Sequence, residues 1–435
     1  MAKKTLDFEK ADPKKVLVWQ RRQVMAALQR AERTKFYKNI FQKNKIGTKK
    51  IKSLKDLELL PTTSEDDLRS DPQAFLGLPL KKIWRVFATS GTTGKPKMIF
   101  REPISLERVE ILSVWKNIFR RARFWPKMAA IMRPAGGLAA SGPVTAKIME
   151  LLQVPCFSVS PEAEVRKTAE ILLTVRPDLL VVSPSLVALI IYELKKKKIN
   201  PRRIGAKVII STGEPLRANE KRYLQKELGA RVINTYGAAD PSAWLASECE
   251  KGGLHILPYT SYIETVDVRG RQSEEGELLV TPFANRAMPL LRYRLGDWAR
   301  INREKCACGR RLPMIVALRR REKSFTLKAG KNLIRLPLRK ILTDLAATEP
   351  KISSFFNFHF EKKGSQAKLV YEADFFNLKK AARGKIEKIL RKKFLAIVEH
   401  QKKGMDKTLR LEVRLVPIGT LPRRAAKMFS QFTEG

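Results

Sequence analysis

Between residues 129 and 233 the sequence repeats one unit, a short apolar run followed by a segment long enough for a helix. The runs are Ala129–Met132, Val154–Val159, Leu179–Val182, Val208–Ile210 and Arg231–Ile233. Runs without polar alternation belong to strands buried on both faces, and strands joined through helices lie parallel. This pattern constrains the fold more than any other feature. It predicts an α/β protein with a largely parallel sheet, whose ligands lie beyond the carboxyl ends of the strands.

Chemistry is concentrated where such strands end. Val86 and Phe87 lead into Thr89, Ser90, Gly91, Thr92, Thr93, Gly94 and Lys95. Ile209 and Ile210 lead into Ser211-Thr212-Gly213-Glu214-Pro215, and Ile233 into Asn234-Thr235-Tyr236-Gly237-Ala238-Ala239-Asp240. Three loops are expected on one sheet edge. The first is not a Walker loop, because Thr89 stands where the first glycine belongs and Pro96 follows Lys95. Lys97 and Met98 run on into an extended Ile99-Phe100, so no helix dipole backs this loop. Hydroxyls and backbone N–H groups are left to hold a polyphosphate.

The remaining regions add boundaries and a charge. Leu17, Val24, Leu28 and Ala31 predict one buried face of a helix starting near Lys14. Pro61 to Ser64, followed by Glu65, Asp66 and Asp67, reads as a capped helix start with acids in its first turn. The chain has 435 residues, 44% of them apolar, enough for one large domain and a smaller one. The start of the sequence has no apolar leader, and no run approaches the roughly 18 residues of a membrane span. A cytoplasmic protein is expected. Its formal net charge is +44, which raises a polyanionic partner. However, no helix-turn-helix, zinc-finger or RNA-recognition signature is present, and Lys195 to Lys198 lack interleaved aromatics. A solvated basic surface, without specific nucleic-acid binding, is the expectation.

TSGTTGKPK at Thr89 to Lys97, YGAAD at Tyr236 to Asp240 and RYRLGDWA at Arg292 to Ala299 together resemble the ATP-binding core of the adenylate-forming superfamily. The whole chain is similar to its phenylacetate–CoA ligase branch, through FYKNIF at Phe36 to Phe41 and SLKDLELLPTTSEDDL at Ser53 to Leu68. SECEKGGLH at Ser247 to His255, CACGRRLP at Cys306 to Pro313 and GTLPRRAAK at Gly419 to Lys427 extend the likeness. The resemblance implies activation of a carboxylic acid by ATP to an acyl-adenylate, then thioester formation with coenzyme A. It implies small-molecule partners (the acid, ATP and CoA), a magnesium ion, and homodimers as a common assembly.

Residue roles follow from the same resemblance. Thr89 to Lys95 match the phosphate loop, with Thr92 and Thr93 as hydroxyl donors. Gly213, Glu214 and Pro215 match the adenine-side loop. Tyr236 matches the aromatic that packs on adenine, and Asn234, Thr235 and Gly237 share its loop. Asp240 stands where a magnesium-binding glutamate is usual, and Asp297 matches the acid that bonds the ribose hydroxyls. Arg321 matches a ribose-contacting arginine, and Lys427 the catalytic lysine. Singly, each has an ordinary reading: Tyr236 as core, Asp240 as an Asx turn before Pro241, Asp297 as a surface turn.

Four cysteines and three histidines are few enough to place. Cys249 and His255 lie six apart across Gly252-Gly253, and Cys306-Ala307-Cys308 forms a tight pair. Three thiolates and one imidazole complete a tetrahedral zinc set with no position left for water, so the site is expected to be structural. Some members of the branch carry zinc at the matching positions. Ordinary buried thiols are the alternative. Cys156 is left as a core thiol.

The expected organisation is a 1–320 adenylation domain and a 321–435 small α+β domain, which in the family swings between two poses. Leu318 to Ile334 resembles the hinge and first strands of that domain. Lys323 and Ser324 stand where acids are usual, and Arg424, Ala425 and Ala426 where a serine, an acid and a glycine are commoner. These departures leave adenylation more firmly implied than transfer to CoA. Two alternatives follow: an adenylating enzyme serving a non-CoA acceptor or carrier protein, and a degenerate ligase fold that binds nucleic acid.

Overall fold

The computed structural model describes residues 8, 11–89, 96–103, 109–134, 139–161, 163–319, 325–329, 332–336, 357–363, 366–374, 380–400, 410–417 and 430–434. Helix α1 (Pro13–Ala31) starts where Asp12 Oδ1 accepts the Lys14 amide at 2.7 Å and Pro13 takes a first-turn position that needs no N–H donor. Its buried ridge is Val16, Gln20, Val24, Ala27, Leu28 and Ala31. Leu17, expected on that face, is 50% exposed, because the i, i+4 row through Val16, Gln20 and Val24 turns it toward the rim. Gln20 is buried without penalty, since its amide donates to Pro258 O at 3.2 Å and Ser261 O at 3.4 Å.

Helix α2 (Lys35–Lys43) follows, and α3 (Glu65–Ser70) begins at Ser64 in a capping box closed by Asp67, as the acid-rich start predicts. Strands β1 (Arg85–Thr89) and β2 (Lys97–Arg101) then pair antiparallel, Thr89 opposite Lys97. The phosphate-loop segment thus joins two strands of a separate hairpin. The expectation that β1 feeds the edge of the main sheet is wrong, because β1 pairs with β2 and with no strand of that sheet.

Beyond α4 (Val109–Ala122), the repeating unit appears in full. Strand β3 (Ala129–Met132) leads to α5 (Ser141–Leu151), β4 (Cys156–Ser158) to α6 (Val165–Val175), β5 (Leu179–Val182) to α7 (Pro184–Lys196), and β6 (Val208–Ser211) to α8 (Ala218–Leu228). These strands lie parallel in the order β4, β3, β5, β6, with β7 (Arg231–Ala238) next. Alternate residues serve opposite cores. Ile131, Val181 and Ile210 face one cluster, and Ala130, Leu180 and Ile209 the other. Each fully buried aliphatic side chain contributes about 1.5–3 kcal/mol, which explains why these strands carry no polar alternation. Cys156, expected in the core, is half-buried, because β4 is the edge strand.

Strand β7 is longer than the apolar run predicts. It stays parallel to β6 up to Asn234 and pairs antiparallel with β8 (Ala243–Glu248) from Thr235 onward. The segment 234–238, expected as loop, is therefore strand. Strands β9 (Leu254–Ile256), β10 (Ser261–Val266), β11 (Glu275–Pro282), β12 (Tyr293–Asn302) and β13 (Met314–Arg319) complete one eleven-stranded sheet, antiparallel from β7 outward.

Among the described residues, no strand beyond Arg319 joins that sheet. Strands β14 (Phe325–Ala329) and β15 (Asn332–Leu336) form a hairpin. Strands β16 (Asn357–Lys363), β17 (Gln366–Asp374), β18 (Arg410–Pro417) and β19 (Ser430–Glu434) form a mixed sheet in the order β18, β17, β16, β19. Helix α9 (Lys380–His400) packs on β18, with the Leu415 amide bonded to Glu387 at 2.7 Å. No helix of the described residues is long and apolar enough to cross a membrane.

Candidate functional site

At the carboxyl end of β7 the chain leaves the strand through Asp240, a half-buried carboxylate. Its Oδ2 receives the Lys97 ammonium at 2.5 Å and the Tyr293 hydroxyl at 2.8 Å. Lys97 also reaches Glu65 Oε1 at 3.1 Å, and Glu65 is paired with Arg69. Burial pushes the Tyr293 phenol far up, with the Asp240 charge adding to it, so the tyrosine stays protonated and donates. Lys97 follows directly on the phosphate-loop segment, and its ion pair fastens the hairpin to the sheet edge. Thus the loops do converge, through a side chain rather than a shared sheet. Asp240 Oδ1 takes no hydrogen bond from a described residue, leaving a hard oxygen of the kind magnesium binds together with substrate phosphates.

One turn of strand away, the Tyr236 hydroxyl donates to Asp297 Oδ2 at 2.6 Å, joining two of the residues expected to hold adenosine. Tyr236 is 3% exposed and packs with Leu245, Ile263 and Ala299, so its ring also belongs to a core. Thr235 Oγ1 donates to Ser211 O at 3.0 Å, which binds β7 to β6 at the point where β7 changes partner. The Asn234 amide donates to Glu248 at 2.9 Å. At Gly237 a Cβ would lie 3.0 Å from Ala243 O, so β8 approaches too closely for a side chain.

The loop after β6 is held from both sides. Glu214 accepts the Ser185 hydroxyl at 2.9 Å and the Ser185 amide at 3.2 Å, which caps the start of α7. Arg133, buried at the end of β3, donates to Thr212 O at 3.1 Å. Gly213 has φ +89°, which favours glycine, and a Cβ there would meet the Arg133 guanidinium at 2.6 Å and displace it. Pro215 is exposed. Thr89 ends β1; Ser90 to Lys95, Arg321 and Lys427 lie outside the described residues.

Arg292, the first residue of RYRLGDWA, faces away from this site. Its Nη1 donates to Leu60 O at 2.6 Å and its Nε to Glu264 at 3.2 Å, with both side chains almost fully buried. Burial pushes the Glu264 carboxyl up, and the adjoining guanidinium pulls it back. This motif position therefore anchors the chain before α3. Sequence reasoning missed Lys97, Glu65, Tyr293 and Arg133. Lys97 alone carried a signal, as the second lysine of GKPK.

At the opposite end of β8, roughly 20 Å from Asp240 at about 3.4 Å per residue, four side chains meet. The ligand atoms of Cys249, His255, Cys306 and Cys308 all lie within 4.8 Å of one another. The Cys249 and Cys306 sulfurs are 3.9 Å apart, and Cys308 Sγ is 3.3 Å from His255 Nε2. Two matching turns present them, in which the amides of Gly252 and Gly309 donate back to the Cys249 and Cys306 carbonyls. Both glycines have φ near +85°. At Gly253 a Cβ would press on Cys306 Sγ at 3.2 Å and Met314 Sδ at 2.8 Å. The His255 ring bonds Leu312 O through Nδ1 at 3.0 Å, which turns the Nε2 lone pair toward the thiols. None of the cysteines is in a disulfide. Burial, with the neighbouring thiols adding to it, pushes Cys306 up to about 11, so ionising the cluster calls for a cation. Donor set and spacing fit a tetrahedral metal with Zn–S near 2.3 Å.

Comparison with known proteins gives a consistent neighbourhood. A phenylacetate-coenzyme A ligase of Thermus thermophilus is 28% identical over 300 residues, 64% of this chain and 64% of that protein. One from Aromatoleum evansii is 24% identical over 363 residues, 79% of this chain and 78% of its own. The chain is phenylacetate–CoA ligase-like in sequence. The matched stretch spans less than two thirds of the Thermus ligase's length. No family model matches the chain. Among solved structures, a 2-hydroxyisobutyryl-CoA ligase in its postadenylation state, bound to 2-HIB-AMP, superposes with TM-score 0.78 at 17% identity. That match covers 98% of this chain and 91% of the other. An acyl acid amido synthetase superposes with TM-score 0.65 at 15% identity, covering 94% and 88%. At these identities both describe the fold of this phenylacetate–CoA ligase-like chain.

Proposed function

We propose that the protein is an ATP-dependent, AMP-forming acid–CoA ligase acting on an aromatic, phenylacetate-like carboxylic acid. The observation that carries this reading is the meeting of Lys97, Asp240 and Tyr293 beside the Tyr236–Asp297 pair, at the edge where β7 leaves its parallel neighbours. A carboxylate resists nucleophiles because its charge is delocalised and its oxygen is a poor leaving group. In adenylation a carboxylate oxygen bonds to the α-phosphate of ATP as pyrophosphate leaves, which turns that oxygen into part of a good leaving group. The CoA thiol then loses its proton and displaces AMP to give a thioester.

In this reading Tyr236 and Asp297 hold adenosine together with the Gly213–Pro215 loop and Arg321. Ser90 to Lys95 embrace the phosphates, and Lys427 stabilises charge on the α-phosphate as pyrophosphate leaves. Asp240 holds magnesium, which supplies charge neutralisation for the phosphates. The four-residue cluster holds a structural zinc. Residues 1–320 form the adenylating domain and 321–435 the mobile one, in a cytoplasmic protein.

A pyrophosphate-release screen over aryl, short-chain and long-chain acids tests the proposal, with and without CoA. Release with aryl acids, and a thioester product only when CoA is present, is the expected outcome. Release with no CoA-dependent product points to another acyl acceptor. No release with any acid sinks the assignment.

A further inference from the structure

Residues 11 to 55 carry fourteen Lys or Arg against two acids. Both acids are already engaged, Asp12 with the Lys14 amide and Glu32 with the Thr48 hydroxyl. Lys35 reaches Asp71 at 3.8 Å and the Lys52 charge acts on Asp56, so the local acids offset few of these cations. Lys14, Lys15, Arg22, Lys49 and Lys50 are exposed and form no ion pair with a described residue. Some lysines elsewhere are paired: Lys195 with Glu227 at 2.9 Å, Lys197 with Glu170 at 3.1 Å and Lys147 with Glu150 at 2.8 Å.

Two contacts bring the charged segments side by side. Arg21 Nε donates to Lys52 O at 2.7 Å, joining the outer side of α1 to the segment after α2, and the Glu32–Thr48 contact joins them again at the far end of the helix. On this face Leu17 and Val18 are 50% and 65% exposed, flanked by Lys14, Lys15, Arg21 and Arg22.

We propose that this face docks on an anionic phospholipid bilayer, with α1 lying along the headgroups and Leu17 and Val18 entering the acyl boundary. A helix surface that combines clustered cations with protruding aliphatics gains from both the negative surface potential and apolar burial. Nucleic acid fits the same charges less well. It gains nothing from two aliphatic side chains, and the aromatics of this segment (Trp19, Phe36, Tyr37 and Phe41) are none of them exposed as a stacking platform. The inference is independent of the catalytic reading.

Vesicle flotation of the full chain tests it at about 150 mM salt, where exposed charges farther apart than a Debye length are screened. One set of vesicles is phosphatidylcholine alone, the other contains about 30% phosphatidylglycerol to supply the anionic surface. The protein should float with the anionic vesicles and not the neutral ones, and should be released at high salt. The double variant Arg21→Glu/Arg22→Glu should lower partitioning by about tenfold or more. Leu17→Ser/Val18→Ser leaves the charge unchanged and should lower it severalfold, with the thermal midpoint of the exposed-site variant confirming the fold. Two results overturn the proposal: no partition into anionic vesicles, or partition unaffected by the serine variant and abolished by RNA at equal phosphate, which would mark generic polyanion binding.

Discussion

Single residues of the RYRLGDWA motif divide between chemistry and support. Arg292 anchors, Tyr293 bonds Asp240 and Asp297 accepts from Tyr236, while Lys97 crosses from the hairpin to Asp240. Lys97→Ala removes the ammonium that ties the hairpin to Asp240 and should lower pyrophosphate release by about 100-fold or more, as loss of a charge contact made in the transition state does. Near-normal release would reduce Lys97 to a tether. Arg292→Ala should act on stability instead. Leaving Glu264 buried without its partner costs about 3–5 kcal/mol, visible as a lower urea midpoint, while ATP affinity of the folded fraction stays unchanged.

Among the elements, the paired glycine turns after β8 and between β12 and β13 are the most separable from catalysis. Stripping the metal with a strong chelator, or Cys308→Ser, should lower the thermal midpoint by several degrees, since each kcal/mol shifts a large domain by about 2–4 °C. Turnover at low temperature should hold, because the cluster lies at the far end of β8 from Asp240. Metal analysis finding no zinc in protein prepared without chelator would refute the site. The segment after α2 gives a pH prediction. The amides of Lys52 and Ser53 both donate to Asp56 at 2.8 Å and hold its carboxyl below the usual range. Its contribution is therefore complete above the ordinary Asp value of about 3.9 and is lost as pH falls through the lowered folded value. The stability gap between wild type and Asp56→Ala should close on acidification over that window. A gap independent of pH would exclude the carboxylate as its source.

For the whole molecule, among the described residues the main sheet ends at Arg319, and the later strands pair among themselves. A fragment of residues 1–320 should accordingly melt cooperatively and bind ATP, yet release no pyrophosphate, because Lys427 lies beyond it. An insoluble fragment, or one that melts without a cooperative transition, would show that the proposed domain boundary is misplaced.

The parallel half of the sheet was legible because strands such as Leu179–Val182, buried on both faces, tolerate nothing but apolar residues. The capped start of α3 was legible for a similar local reason, in that Ser64 and Asp67 satisfy each other within one turn. The cysteine–histidine cluster could be read from residue type, because few other arrangements employ three thiols and an imidazole at that spacing. What tertiary structure alone decided involves partners distant in the chain. Leu17 and Val16 are neighbours in sequence, and only packing against the sheet determined which was buried. The change of partner along β7 depended on β8 arriving antiparallel, and no local pattern encodes it. Lys97 and Asp240 are 143 residues apart. Their ion pair forms because the hairpin and the strand ends meet in space, a condition set by the packed fold and not by either segment's own sequence.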